Sequence, residues 1–294
     1  MSLDVVFQNV SKIYKNYQAL DQVSFSLMPG KTYGLIGRNG AGKTTLLSLL
    51  ASFQLPSSGQ INVDGKEPFE NAHLMSKINF VYETDYGDEH ETVESYLADA
   101  EHYRPNFDYE YAQKLVERFD LPLDKPVNEF STGMQSALNI VLGFASRCPI
   151  TIFDEVYLGM DAPNRELFYQ EIIEEQSRRP RTLILSTHLV SEMDYLFDHV
   201  LILDQGQLII DEAFDQITQH GVSITGDAKN IDIIATNLNV LNSQQLGGTK
   251  SIMVYGEIDE AKQMEAKELD LEIGPLALQD LFIHLTKKER SYEK

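Results

Sequence analysis

Cysteine is all but missing from this 294-residue chain: Cys148 is the only one. A single thiol excludes a disulfide framework and fits a cytosolic setting. Cations are scarce as well, with 24 Lys and Arg against 45 Asp and Glu and a net charge of −21. A nucleic-acid partner needs a basic face that displaces counterions, so the composition argues against one. No apolar run approaches the roughly 20 residues needed to cross a bilayer. The longest, around 201–203 and 208–210, is interrupted by Asp204, Gln205 and Gly206. The opening MSLDVVFQNV lacks the basic-then-apolar pattern of a secretion signal, so no export leader is expected. There is no internal repeat and no long low-complexity tract. What is present, 43% hydrophobic residues, suffices for one large α/β domain and a smaller one.

The most specific local pattern is GRNGAGKT at 37–44, which satisfies G-x-x-x-x-G-K-[ST] at every constrained position. Its surroundings suit it. Tyr33, Gly34, Leu35 and Ile36 read as a buried strand, and Thr44, Thr45, Leu46 and Leu47 as the start of a helix. Gly37, Gly40 and Gly42 are expected to take backbone angles closed to other residues, so that successive N–H groups converge on one anion. Arg38, Asn39 and Ala41 complete the loop, and Thr45 follows it. Lys43 is placed to reach the β- and γ-phosphates, and the Thr44 hydroxyl to ligate Mg²⁺. The chain is expected to bind a nucleoside triphosphate.

Short β-branched runs alternate with helical patterns up to about residue 213, as in a mostly parallel sheet covered by helices. Strands are expected at 5–10, 23–27, 61–63, 78–82, 150–153, 182–186 and 200–203, with a turn at Asp64-Gly65. From about 91 to 147 the pattern is helical, broken at Pro105, Pro122 and Pro126. After Asp215 the composition shifts toward Gln, Asn and Gly, and a second small domain is expected at 216–294. There, 251–255 reads as a strand, and Pro275 with Leu278, Leu281, Phe282 and Leu285 as an amphipathic helix that starts at the proline. His220 and His284 do not fall at metal-ligand spacings.

Far downstream of the glycine-rich loop, an apolar strand ends in Phe153-Asp154-Glu155. Beside a phosphate loop, an aspartate at a strand's carboxyl end holds Mg²⁺ directly or through water. Glu155 is then placed to polarise a water against the γ-phosphate as a general base. Gly159-Met160-Asp161 and His188 follow in order.

This order of elements, over about residues 3–213, resembles the ATP-binding subunits of ABC transporters. Tyr14 stands where that family places an aromatic that stacks on adenine. GRNGAGKT is the phosphate loop, FDE at 153–155 closes the Walker B strand, and Leu158-Gly159-Met160-Asp161 resembles the D-loop. Leu185-Ser186-Thr187-His188 resembles the switch histidine segment. Phe130-Ser131-Thr132-Gly133-Met134 sits where the family carries LSGGQ. A serine hydroxyl, free backbone N–H groups and a helix dipole there make a second anion site. The resemblance implies an α/β P-loop ABC ATPase core at 1–215: a mostly parallel sheet, an antiparallel β subdomain and a helical subdomain at about 86–148. A small α+β C-terminal domain would follow. It also implies catalytic roles for Lys43, Glu155 and His188, and Mg²⁺ held by Thr44, Asp154 and Glu83. Two such subunits, alike or different, would close head to tail around two ATP molecules, with Ser131, Thr132, Gly133 and Met134 acting in trans. The partner would be an integral membrane permease on a separate chain, with this subunit peripheral on the cytoplasmic face of a bacterial membrane.

Three departures stand out. Met134 and Thr132 alter LSGGQ to an S-x-G-M form similar to exporter groups with ABC-2-type permeases. Glu83 occupies the Q-loop glutamine position, and Val156-Tyr157 replaces the usual Pro-Thr. Residues 83–101 hold eight acids and no Lys or Arg, which reads either as a solvated face or as a docking surface for a basic coupling helix. The similarity to antimicrobial- or cytolytic-peptide exporters and Ytr-type systems implies a peptide or lipid-like amphiphile as cargo. A stand-alone ABC ATPase on ribosomes or DNA is the alternative. That class usually carries two cores or a long coiled-coil insertion, and this chain has neither. A P-loop kinase would not explain Ser131, Asp161 and His188 in this order.

Overall fold

The computed structural model describes residues 3–236, 238–256 and 258–286. The chain separates into two compact units: residues 1–188 with 195–211, and residues 189–194 with 212–294.

The first unit opens with an antiparallel sheet. β1 (Val5–Tyr14) pairs with β2 (Tyr17–Leu27) on one side and β4 (Ser58–Val63) on the other. Asp64 and Gly65 both take positive φ, as an Asp-Gly turn allows, and carry the chain out of β4. Phe7 and Phe25 stack across the β1/β2 ladder with ring centroids 4.4 Å apart.

The second layer is a six-stranded sheet ordered β5-β6-β7-β3-β8-β9. It comprises β3 (Thr32–Gly37), β5 (Ile78–Tyr82), β6 (Ile150–Asp154), β7 (Thr182–Thr187), β8 (His199–Asp204) and β9 (Gln207–Ala213). The pairings of β5 with β6, β6 with β7, and β3 with both β7 and β8 are parallel. Every residue of β3, β6 and β7 is buried, as expected of central strands covered on both faces. Burying each Leu or Ile side chain of this core stabilises it by about 1.5–3 kcal/mol. Parallel pairing also brings all the carboxyl ends to one edge, and the phosphate loop, Asp154 and Thr187 lie there.

Helices α1 (Lys43–Leu50), α2 (Ala72–Met75) and α6 (Ala162–Arg178) belong to this core. A helical segment is built from α3 (Val93–Tyr103), α4 (Tyr109–Arg118) and α5 (Thr132–Ala145). Each starts at a side-chain cap: Thr92, Asp108 and Ser131 accept hydrogen bonds from Ser95 N, Tyr111 N and Met134 N. Glu171 of α6 is buried and accepts from Tyr111 and Arg118, so α4 and α6 are linked through charge-assisted bonds.

The second unit contains α7 (Phe214–His220), β10 (Gly221–Asp227), α8 (Ala228–Ile234), β11 (Val240–Leu246), β12 (Thr249–Tyr255), α9 (Glu260–Glu268), β13 (Glu272–Pro275) and α10 (Leu278–Leu285). Its antiparallel sheet is ordered β11-β12-β10-β13, and Ile224, Ile231, Ile234, Ile252 and Val254 form its core. Two details differ from the sequence reading. Pro275 does not start a helix; it ends edge strand β13, registered with Val222. An edge strand tolerates a residue without an N–H, and α10 begins three residues later, after Ala277. Residues 189–194 join this unit rather than the first, because their helical turn at Val190–Glu192 lies against α10.

Candidate functional site

The phosphate loop leaves β3 and turns directly into α1. Gly40 and Gly42 adopt φ of 82° and 109°, the left-handed region that suits glycine. Gly37 does not; its requirement is space. A Cβ there would stand 2.7 Å from the Leu203 carbonyl oxygen on β8. The loop is closed by Ala41 N to Arg38 O at 3.0 Å and tied to the β8/β9 turn by Gly206 N to Ala41 O at 2.9 Å.

Lys43 is 6% exposed and reaches back over its own loop. Its Nζ donates to Gly37 O at 2.7 Å and lies 3.1 Å from Glu155 Oε1. The same carboxylate oxygen is 3.1 Å from His188 Nδ1. An ionised carboxylate can only accept, so Nδ1 carries the proton in this contact. Burial raises the Glu155 carboxyl, but the hydrogen bond with His188 and the Lys43 ammonium outweigh it and hold the group below the ordinary carboxylate range. Glu155 is therefore ionised at neutral pH, as a proton acceptor must be.

Asp154 forms a second node. Thr44 Oγ1 donates to its Oδ2 at 2.7 Å, and Ser186 Oγ to its Oδ1. The register explains the meeting: Asp154 pairs with Ser186 across β6/β7 and with Tyr82 across β5/β6. Thr44 and Asp154 offer hard oxygen donors side by side, a set that suits Mg²⁺, which keeps few protein ligands and fills its shell with phosphate and water. Among the described residues no group of three or more His, Cys, Asp or Glu could hold a metal by itself. Glu83 is exposed, one residue beyond the Tyr82 that registers with Asp154.

Lys43, Thr44, Thr45, Arg38, Asn39, Gly40, Gly42 and Glu155 line a cavity of about 340 Å³, in the size range of small-molecule sites. Tyr17 also lines it, with its ring 57% exposed and its hydroxyl donating to Gly40 O at 3.2 Å. Tyr14, its partner across the β1/β2 hairpin, does not line it. The Tyr14 hydroxyl is held by Gln54 Oε1 at 2.6 Å, and Lys12 lies over its ring. A larger cavity of about 920 Å³ lies by Pro149 and Thr182, at the opposite ends of β6 and β7. Of its three lining arginines, Arg147 and Arg181 pair with Glu175 and Arg179 with Asp108. Volume alone does not locate the chemistry.

Ser131 caps α5 and is exposed, as is Asp161, which caps α6. Neither lines the phosphate-loop cavity of its own chain. Gly133 and Gly159 pack their loops together: a Cβ on Gly133 would stand 3.0 Å from Gly159 O, and one on Gly159 2.8 Å from Thr132 Cγ2. Ser186, Tyr17 and the Gly133–Gly159 contact carry no signal of their own in the sequence, because each depends on strand register or loop packing.

Comparison with known proteins agrees with this geometry. Residues 20–157 match the ABC transporter family. The chain is 30% identical over 218 residues to the ABC transporter ATP-binding protein NatA of Bacillus subtilis (strain 168), covering 72% of this chain and 87% of that one. It is 27% identical to the same organism's ABC transporter ATP-binding protein YtrB over 286 residues, 95% of this chain and 97% of the relative. It is 25% identical to the Nod factor export ATP-binding protein I of Burkholderia orbicola (strain AU 1054), covering 96% and 97%. Among solved structures, an ATP-binding subunit of an ABC transporter superposes with a TM-score of 0.66 at 26% identity, covering 72% of this chain and 91% of that one. A dimeric post-hydrolysis ATP-binding cassette with ADP and Pi bound shares the fold, with a TM-score of 0.62 at 20% identity over 71% and 98% of the two chains. A phosphate loop that meets Asp154, Glu155 and His188 at one sheet edge, in this company, places the chain in the ABC transporter family as an ATP-binding subunit with the ABC ATPase fold.

Proposed function

We propose that this chain is the motor of an exporter, closing with a second ATP-binding subunit around two ATP molecules and driving a membrane permease carried on another chain. The observation that supports it most is the meeting of Lys43, Glu155 and His188 within 3.1 Å contacts beside the Thr44–Asp154 pair.

In this reading Lys43 and the loop N–H groups of 37–44 hold the β- and γ-phosphates. The γ-phosphate gives Lys43 a second anion and frees Glu155 to accept a proton from water. The water oxygen bonds to the γ-phosphorus, the bond from phosphorus to the bridging oxygen breaks, and ADP and phosphate leave. His188 keeps Glu155 ionised and oriented. Thr44 and Asp154 would hold Mg²⁺, which when bound neutralises phosphate charge; Glu83 is assigned to the edge of that site. Tyr17, at the tip of the β1/β2 hairpin, is the aromatic that faces the nucleoside, with Tyr14 paired to it from the other strand.

Ser131, Thr132, Gly133 and Met134 then serve the partner's ATP, with Asp161 at the same interface. The exposure of Ser131 at a helix N-terminus supports this, because the anion it suits must come from outside its own chain. Residues 1–215 are proposed as the motor segment and 216–294 as an accessory domain, with 189–194 and 212–215 clustering with the latter. No described helix is long and apolar enough to cross a membrane, in keeping with a peripheral subunit. The name of the Nod factor export relative supports an export direction, and a peptide or lipid-like amphiphile is the cargo proposed.

The test is a Glu155→Gln substitution. The variant should bind ATP with wild-type affinity, lose turnover by at least about a hundredfold, and accumulate as a nucleotide-trapped dimer in sizing experiments. A Ser131→Ala change should prevent that dimer. Wild-type turnover in Glu155→Gln, or a trapped species that stays monomeric, overturns the reading.

A further inference from the structure

We propose that Tyr157 is a positioning residue: its buried side chain locks the turn that carries Glu155 to the end of the strand that carries His188. The inference rests on the reading of Glu155 and His188 as the hydrolytic pair.

Three observations lead to it. Glu155 sits at φ 54°, in the left-handed region that a residue with a side chain keeps only where its surroundings hold it. The turn it begins is closed by Leu158 N to Glu155 O at 3.2 Å and Met160 N to Tyr157 O at 3.1 Å. Tyr157 anchors that turn. It is 1% exposed, its ring is stacked with Phe168 at an interplanar angle of 17°, and it meets Tyr169 edge-on. Its hydroxyl is hydrogen-bonded to Thr187 Oγ1, also buried, on the residue immediately before His188.

One side chain thus spans from two residues after the carboxylate to one residue before the imidazole. The contact it frames, Glu155 Oε1 to His188 Nδ1 at 3.1 Å, is made by two residues on different strand ends, with no other covalent or ladder constraint directly between them. A shift of about an ångström in such a contact is enough to lower turnover strongly. A threonine at position 157, the residue usual in the resembling family, lacks the reach of the ring. Here the span is set by a rigid aromatic whose two torsions are fixed by packing, with a hydroxyl to pin its tip.

The experiment uses the full chain and three variants: Tyr157→Phe, Thr187→Val and the double substitution. Each single change should lower kcat about tenfold while KM for ATP stays within about twofold. The double variant should fall no further than the worse single, because both act through one bond. Multiplicative losses in the double variant overturn the inference, and so does wild-type kcat in both single variants. A kcat loss that only tracks the unfolded fraction in a thermal melt overturns it as well. A Glu155→Gln control separates the two readings. Wild-type turnover there sinks the hydrolytic pair itself; an inactive Glu155→Gln beside a wild-type-like Tyr157→Phe sinks only the role of Tyr157.

Discussion

Asp154→Asn separates the cost of folding this site from its use. Asp154 is 8% exposed, and among the described residues no cation makes an ion pair with it. Its two oxygens are instead served by the Thr44 and Ser186 hydroxyls. Replacing carboxylate by amide weakens two charge-assisted bonds to neutral ones, a loss of about 1 kcal/mol each. Thr44 and Ser186 can rotate, however, so one can donate to the amide oxygen while the other accepts from the NH₂ group. Against the loss stands the relief of a buried charge, which costs up to several kcal/mol when uncompensated. The two nearly cancel, and apo stability should change by no more than about 1 kcal/mol, or about 2–4 °C in melting temperature for a domain this size.

Ligand binding should respond quite differently. Saturation at a hundredfold excess over Kd stabilises by about 2.7 kcal/mol, worth about 5–10 °C. Wild type should gain this from ATP with Mg²⁺ and less from ATP with chelator. Asp154→Asn should gain the same small increment in both conditions. Thermal melts in the four combinations of protein and metal decide it. An apo melting temperature lowered by more than about 10 °C would make Asp154 a structural residue. A metal-dependent increment equal to wild type would remove it from the Mg²⁺ site.

Two other changes probe different parts of the molecule. Tyr17→Ala should weaken ATP binding about tenfold, the scale of losing one aromatic stack on a base, while Tyr14→Ala, whose hydroxyl is already committed to Gln54, should weaken it less; fluorescence titration with an ATP analogue ranks them, and the reverse order refutes the placement of Tyr17. Asp108→Asn keeps an equally good helix cap but removes the charge facing Arg147 at 2.9 Å. Burial raises the Asp108 carboxyl, yet hydrogen bonds from Arg147 and Tyr111 N, with the Arg147 and Arg179 charges, bring it below its ordinary value. A depressed carboxyl contributes stability above its unfolded pKa and loses it as pH falls through the folded one. The variant should therefore cost about 1 kcal/mol at pH 7, and that cost should shrink progressively as pH falls below the ordinary carboxylate range, read by denaturant titration; a cost independent of pH refutes the charge as its source.

Much of the chemistry is local and was legible at once. A phosphate loop is eight consecutive residues whose backbone angles and donors serve one anion, so GRNGAGKT carries its own meaning. Strand β6 announces itself by four apolar or β-branched residues ending in two carboxylates. Ser131 ahead of a long apolar helix is a cap whatever the fold. Other assignments needed distance information. Gly37 is required by the Leu203 carbonyl, which a sequence reader has no reason to place beside it. Tyr14 and Tyr17 differ only by which side of a hairpin each occupies, and three residues of spacing do not say which one reaches the loop. Pro275 looked like a helix start because prolines favour first turns; an edge strand proved equally able to spare the N–H.

From composition, periodicity and motif order alone come the triphosphate-binding loop, the carboxylate strand, the helical segment and the second unit's existence, because each is written in neighbouring residues. What only tertiary structure decided is the partnership among them. The pairing of Lys43 with Glu155, of Asp154 with both Thr44 and Ser186, and of Tyr157 with Thr187 follows from parallel register, which brings strand ends from across the chain to one edge. Register is a property of the packed sheet and not of any single segment.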